Sequence, residues 1–528
     1  MKQSHRLNNV GLINRDKVIT FNFNGKSYQG YEGDTLASAL LANGVHLVGR
    51  SFKYHRPRGF IGAGVDEPNA KLQVTINGHS EPNINATEIE LVDGLSATSQ
   101  NCWPSVEFDI GAINNFLKIF FPAGFYYKTF MWPKSFWYKV YEPFIRKAAG
   151  LGVASLEKDK ERYEHKFEYC DLLVTGSGPS GLASAYAAAK NGAKVILAED
   201  KPRYGGTLLT DDVSIDNMSG KDWSEKIISE LKTMPNVTLK NRSQVFGYYD
   251  HNMMVMFERV GDHLSNKSKY TPRQRLWYIR AKETILSTGS IERPIVFGNN
   301  DTPGVVLSSA AKEYMKVYGV LVGRKPIIFT NNDSAYETAF EFKKNNVEPI
   351  ILDTREEHDS EVVQEAKNKG IQIKFSYGVI VANGYKKVKS AKIGKLTKDK
   401  KSFESTETIN CDCICVSGFW TPTVHLASQS GNKLKFDEKI DAFIPDKSKQ
   451  NEKTIGAANG SFTLQETIES GFKTGSELSS KITDKNNENK IPTVTETKYG
   501  VHDKFWCMPL PKNENPKRFV DFQNDVAV

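Results

Sequence analysis

The stretch Asp171-Leu-Leu-Val-Thr-Gly-Ser-Gly-Pro-Ser-Gly-Leu-Ala-Ser-Ala-Tyr-Ala-Ala-Ala-Lys-Asn-Gly-Ala-Lys-Val-Ile-Leu-Ala-Glu-Asp200 reads as a strand, a glycine-rich turn, a helix and a second strand. An apolar run ends at Thr175. Gly176, Gly178 and Gly181 then supply a tight turn, bare backbone beside a pyrophosphate and a close helix contact, with Pro179 and Ser180 between them. The alanine-rich helix stops at Asn191-Gly192, a normal C-cap, so its free N–H groups and positive dipole end face the turn. A diphosphate belongs there. Glu199 closes the second strand, where a carboxylate accepts hydrogen bonds from both hydroxyls of an adenosine ribose and repels a 2′-phosphate. The pattern predicts a dinucleotide site, and the motif alone does not separate NAD from FAD.

Downstream, Lys201-Pro-Arg-Tyr-Gly-Gly-Thr207 is a turn whose Gly205 and Gly206 let backbone approach whatever lies on the fingerprint. Lys201 and Arg203 could admit a 2′-phosphate, but Glu199 argues against NADP. A helix over 223–232, strands near 237–239 and 243–248, and a strand over 275–282 running into Glu283-Thr-Ile-Leu-Ser-Thr-Gly289 complete a first dinucleotide domain. A second βαβ unit follows, from Lys325 to Asp353. Its turn carries Asn331, Asn332, Asp333 and Ser334 where glycines would admit a diphosphate, so that phosphate site reads as lost, and Asp353 is the residue that would otherwise meet a ribose. Cys411, Cys413 and Cys415 alternate on one face of a strand expected to be buried rather than metal-binding. Thr454 to Leu464 reads as a return crossing to the first nucleotide, with Ala457, Ala458 and Leu464 small or apolar as a ring contact requires.

Upstream, two strands around Asn24-Gly25, a helix over 36–42 capped by Gly33-Asp34-Thr35, and strands at 72–76 and 88–92 predict a small ferredoxin-like β-grasp domain. An iron–sulfur ferredoxin carries cysteine ligands in the loop after that helix; this loop has none. It reads Arg50-Ser-Phe-Lys-Tyr-His-Arg-Pro-Arg-Gly59 instead, either a solvated basic loop or a contact for an anion, a flavin phosphate or a partner. Residues 112–146 are dense in aromatics interrupted by lysines. That composition points to packing against another domain or subunit more than to a membrane surface. Cys102 beside Trp103-Pro104 reads as packing.

The 528 residues, 39% hydrophobic and 25% charged with net charge +8, describe an ordinary multidomain chain with no nucleic-acid signature. Six cysteines at irregular spacing form no disulfide framework and favour a reducing compartment, with the cytoplasm as default. No signal-type or membrane-spanning apolar run is present in the sequence. The expected organisation is a β-grasp domain over 1–100, an aromatic-rich connection over 101–166, and a first dinucleotide-binding domain over 167–300. A second, degenerate one covers 301–405, a return to the first covers 406–480, and a linker with the start of a missing C-terminal domain covers 481–528.

Taken jointly, Gly33-Asp-Thr-Leu-Ala-Ser-Ala-Leu, the Arg50–Gly59 loop, the fingerprint, Thr330-Asn-Asn-Asp-Ser-Ala-Tyr336, Cys415-Val-Ser-Gly-Phe-Trp420 and Val520-Asp-Phe-Gln-Asn-Asp-Val526 resemble the alpha subunits of heterotetrameric sarcosine oxidases. The resemblance implies a complex with beta, gamma and delta subunits that demethylates N-methylglycine with oxygen. It implies FAD in the beta subunit, FMN at the alpha–beta boundary, and a non-reacting NAD on the alpha fingerprint. It places NAD contacts at Gly178 to Gly181, Glu199, Asp200, Lys201, Thr207, the strand near Val245, and the crossing from Ala457 to Leu464. Alpha subunits of that family continue into a tetrahydrofolate-binding domain that this sequence does not contain. No catalytic acid or base is assigned in this chain, and no metal ligand is expected. Two rivals are an opine, proline or glycine dehydrogenase alpha subunit binding FAD, and a non-catalytic scaffold that binds a nucleotide only to hold partners together.

Overall fold

A computed structural model describes residues 3–117, 130–148, 150–265, 267–485, 487, 489–496, 502–511 and 513–528. The chain divides into two compact units, both discontinuous: Met1–Asp159 with Pro294–Gly418 and Asp503–Val528, and Lys160–Arg293 with Phe419–His502.

The first unit opens on the β-grasp. Asn24 and Gly25 both take positive φ, the pair of left-handed residues that a tight hairpin needs, and Asn14–Phe23 pairs antiparallel with Lys26–Glu32. Ile19, Phe21 and Phe23 alternate inward and are buried, as is every residue of the helix Leu36–Ala42. Thr35 caps that helix in a reciprocal box with Ser38. The Leu36 and Ala37 N–H groups donate to Ile89 O and Ala86 O, both at 2.9 Å, so residues 88–92 serve the helix start rather than forming the expected strand. The sheet runs Lys26–Glu32, Asn14–Phe23, Ser96–Ser99, Lys71–Ile76, His79–Asn85.

The second sheet of this unit is wholly parallel: Val305–Leu307, Cys413–Ser417, Pro326–Thr330, Ile350–Asp353, Gln372–Phe375. Cys413–Ser417 is buried throughout, as a strand covered on both faces must be, and it sits between the first and third of these strands. That corrects the expected boundary at 406: this strand belongs to the first unit, and the return to the second begins at Phe419.

Residues 503–511 and 513–528 fall in the first unit rather than in a linker. Phe519 is fully buried, and the hairpin Phe519–Asp521 with Val526–Ala527 brings the buried Asp525 to Arg58, all within the first unit. The basic loop is spent in the same place. Arg56 forks onto Asp301 at 2.6 and 2.7 Å, Arg58 bridges Asp301 and Asp525, Arg50 donates to Val106 O and Tyr385, and His55 pairs with Asp109 at 2.7 Å. Arg56 and Arg58 therefore neutralise internal carboxylates, and Arg50 is engaged by a main-chain carbonyl and a phenol. Of the aromatic-rich stretch, Phe116, Trp132 and Tyr138 are each more than 80% exposed; Phe120, Phe121, Phe125, Tyr126 and Tyr127 lie outside the described residues.

The second unit is built on Tyr163–Thr175, parallel to Val195–Ala198 on one side and to Gln274–Leu286 on the other. Val237–Lys240 extends the sheet beyond Val195–Ala198, and Glu452–Thr454 pairs with the carboxyl end of Gln274–Leu286. Met253–Arg259 and Ser243–Tyr249 add an antiparallel edge. Leu172 and Val174 meet the helices Pro179–Lys190, Gly220–Thr233 and Leu464–Thr483 on one face, while Leu173 and Ile196 meet Met254, Met256 and Leu426 on the other. Each such fully buried aliphatic side chain contributes roughly 1.5–3 kcal/mol, which holds the central strand and its turn in place. Among the described residues no helix is long and apolar enough to cross a membrane.

Candidate functional site

Gly176 leaves the central strand with φ +94°, and a Cβ there would lie 2.3 Å from Ser287 O. A Cβ on Gly181 would lie 1.9 Å from Gly176 O. Both positions exclude side chains because backbone comes close. Gly178 differs: its φ of −64° suits any residue, and a Cβ there would meet nothing within 4 Å. It is the N-cap of Pro179–Lys190, and no side chain caps that helix. Bare backbone, unclaimed N–H groups and open space coincide at one point, which is the fit that a diphosphate requires.

Two segments close on this point. Gly206, with φ +54°, stands so near that its Cβ would lie 2.9 Å from Gly178 Cα, and Thr207 next to it is exposed. From the other side Gly456 would place a Cβ 2.6 Å from Ser180 Oγ, which brings the return crossing to the first turn of the helix. Gly206 and Gly456 thus approach the turn formed by Gly176, Gly178, Pro179, Ser180 and Gly181, with Thr207 and Ala457 as their chain neighbours.

At the end of the second strand, Glu199 is buried and its carboxylate accepts from the Ser177 N–H at 2.9 Å, the Ser177 hydroxyl at 2.5 Å and the Lys201 N–H at 3.0 Å. Burial, with the neighbouring Asp200 carboxylate, pushes the Glu199 carboxyl above the usual range. Asp200 itself is half-buried, and its carbonyl accepts from Arg259 Nη2 at 2.7 Å. Ser177 went unremarked in the sequence; the signal was a hydroxyl at the variable position of the glycine motif.

Three predicted contacts sit differently. Val245 packs its side chain among Ile196, Ala198 and Met256, Ala458 is fully buried, and Leu464 packs with Ile468 and Phe472. These residues can offer a ligand main chain, not side chain. The Leu464 and Gln465 N–H groups are moreover taken by the Glu496 carboxylate at 2.6 and 3.0 Å, a cap that no sequence motif announces.

The degenerate turn in the first unit is filled with charge. Arg355 pairs with Asp333 and Asp353, each at 2.7 Å, and the Tyr336 hydroxyl donates to the fully buried Asp353 at 2.8 Å. Cys411, Cys413 and Cys415 are buried, and among the described residues no group of His, Cys, Asp or Glu is placed to hold a metal.

Residues 16–102 match a family described as a 2Fe-2S iron-sulfur cluster binding domain, and residues 171–252 match FAD dependent oxidoreductases. Sarcosine oxidase subunit alpha of Rhizobium meliloti (strain 1021) is 42% identical over 99% of this chain and 52% of its own length. The subunit of the same name from Corynebacterium sp. (strain U-96) is 30% identical over 98% of this chain and 49% of its own. The chain is a homologue of sarcosine oxidase alpha subunits. This alpha-subunit homologue spans about half the length of the curated relatives it matches. Its β-grasp matches a cluster-binding family, yet Cys102 is the only cysteine before Cys170, so the four thiolates of such a cluster are missing. Among solved structures, L-proline dehydrogenase from P. horikoshii superposes with TM-score 0.60 at 19% identity, covering 92% of this chain and 77% of that one, which shows a shared fold.

Proposed function

We propose that this chain is the nucleotide-binding alpha subunit of a multi-subunit, flavin-dependent sarcosine oxidase, and that its own ligand is NAD. The observation that carries the reading is the open space over Gly178 at an uncapped helix start, in a chain homologous to alpha subunits over 99% of its length. Gly176 to Gly181 would hold the diphosphate, Glu199, Asp200 and Lys201 the adenosine ribose, Gly206 and Thr207 the cover, the main chain at Val245 the adenosine, and the main chain from Ala457 to Leu464 the far half. Bound NAD can supply a hydride-accepting ring; the role assigned to it here is structural.

In this reading the complex converts sarcosine and oxygen to glycine, a one-carbon unit and hydrogen peroxide, with the amine oxidised at an FAD of the beta subunit. FMN sits at the alpha–beta boundary, and gamma and delta subunits complete the assembly. The exposed Phe116, Trp132 and Tyr138 support a partner surface. No catalytic residue is assigned to this chain, tetrahydrofolate is assigned to none of its residues, and cysteine usage supports a cytoplasmic setting. The match of residues 171–252 to FAD dependent oxidoreductases favours FAD as the rival occupant, in an amine or imino-acid dehydrogenase.

Mass spectrometry of ligand released from the purified chain, alone and after co-expression with its genomic neighbours, tests the proposal. Release of NAD supports it. FAD favours the dehydrogenase, and an empty chain leaves only a scaffold.

A further inference from the structure

A dinucleotide laid from Glu199 across Gly178 has one direction left in which to continue. The adenosine end is set by Val195–Ala198, on one flank of the central strand. On the other flank lie Gln274–Leu286 and then Glu452–Thr454, whose continuation brings Gly456 against Ser180. Ligands of such sheets lie across the carboxyl ends of the strands, so the second ring must come to the residues that follow Gly456 and those that follow Leu286.

Both segments lead to the same aromatic group. Phe462, two residues past Gly460, meets Phe419 edge to face with ring centroids 5.2 Å apart. Phe419 stacks on His502 at 4.0 Å with the planes 7° apart. His502 is buried, with Nε2 3.5 Å from Asp441 Oδ2. The segment after Leu286 fixes this group to the sheet: Ser290–Glu292 pairs with Trp420–Pro422, the Arg293 N–H donates to Phe419 O at 2.7 Å, and the Thr423 N–H donates to Gly289 O at 3.0 Å. Phe419 pays for its place with φ +77°, a conformation that a bulky side chain adopts only where surrounding structure imposes it. Phe419 and Phe462 are only half-buried, so aromatic surface remains for a ligand.

We propose that Phe419, Phe462 and His502 form the wall that receives the second ring of the dinucleotide, and that this ring is a nicotinamide. A flat, cationic nicotinamide is attracted by the electron-rich faces of aromatic rings. The tricyclic ring of a flavin also needs main-chain N–H donors for its pyrimidine oxygens, and the pair at Leu464 and Gln465 is already engaged by Glu496. The inference rests on the nucleotide reading above and adds which part of the ligand this wall grips.

The test compares NAD with ADP-ribose, which keeps the adenosine and diphosphate and lacks the nicotinamide, by calorimetric titration of the 528-residue chain. The unaltered chain binds NAD more tightly than ADP-ribose. Phe419→Ala and Phe462→Ala each cut that preference by about tenfold, the size of a lost aromatic stack with its buried area, while ADP-ribose affinity stays unchanged. Phe419→Tyr, which keeps the face, keeps the preference. Unchanged ADP-ribose binding also reports that the variants are folded. Equal affinity for the two ligands in the unaltered chain, or a preference that survives both alanine variants, overturns the aromatic wall and leaves the nucleotide site standing. Absence of binding by either ligand overturns the nucleotide reading itself.

Discussion

Ser177 gives both its main-chain N–H and its hydroxyl to one oxygen of Glu199, at 2.9 and 2.5 Å. The turn and the end of the second strand are thereby locked to each other, and the other oxygen is held by the Lys201 N–H. A ribose added here shares an acceptor already oriented by protein donors. Glu199→Ala should weaken NAD binding by about tenfold to a hundredfold, the worth of hydrogen bonds to a charged group, as read by titration calorimetry. Undiminished affinity would remove Glu199 from the site.

The same carboxylate makes binding depend on pH. Burial and Asp200 raise its folded-state pKa, so between the ordinary carboxylate range and that raised value the folded chain holds a proton that the unfolded chain does not. This contribution to stability is present below the ordinary value and lost as pH rises through the raised one. Ribose hydroxyls prefer the ionised acceptor, so NAD affinity should increase with pH across that window. Glu199→Gln should flatten both trends; an unaltered affinity profile in that variant would assign the proton elsewhere.

Gly178 and Gly181 separate ligand binding from folding. A Cβ at Gly181 would strike Gly176 O at 1.9 Å, and Gly181→Ala should lower the melting temperature markedly, because the backbone there cannot give. Gly178→Ala meets open space at an ordinary φ, so its stability should change by less than about 1 kcal/mol while NAD binding is lost. Thermal melts with and without NAD check both halves.

Asp301 is the charge on which the first unit's loop turns. It is buried and takes Arg56 and Arg58 together; burial alone would raise its pKa, but the two guanidiniums hold it below the ordinary range. The stability it contributes is present above the ordinary carboxylate pKa and lost as pH falls through the depressed value. Asp301→Asn leaves two arginines short of a partner in the interior and should cost about 3–5 kcal/mol in urea unfolding at neutral pH, with the difference shrinking in acid.

One equivalent of dinucleotide per chain is the expected stoichiometry. The second turn is occupied by the Asp333–Arg355–Asp353 cluster, and a diphosphate brought there would face two buried carboxylates. A titration that saturates at two equivalents would show that this cluster opens.

Local order was legible because it is local. The fingerprint, the cap within Gly33-Asp34-Thr35, the Asn24-Gly25 hairpin and the second βαβ unit each depend on residues a few positions apart, and the structure forms them where the residues called for them. Burial of Cys413 and Cys415 followed from strand periodicity alone. Boundaries between distant segments were another matter. Nothing in Cys413–Ser417 names its neighbours Val305–Leu307 and Pro326–Thr330, since an apolar strand fits any covered parallel sheet.

By itself, then, the sequence determined that this chain carries a strand–glycine turn–helix unit, a β-grasp without cluster cysteines, and a second βαβ turn with no glycines. Tertiary structure decided where charges and rings end up: Arg56 and Arg58 on Asp301 and Asp525, Glu496 on the return helix, Phe419 between Phe462 and His502. These partners lie tens to hundreds of positions apart. Ion pairing and ring packing act through space at a few ångströms, with no period along the chain to betray them.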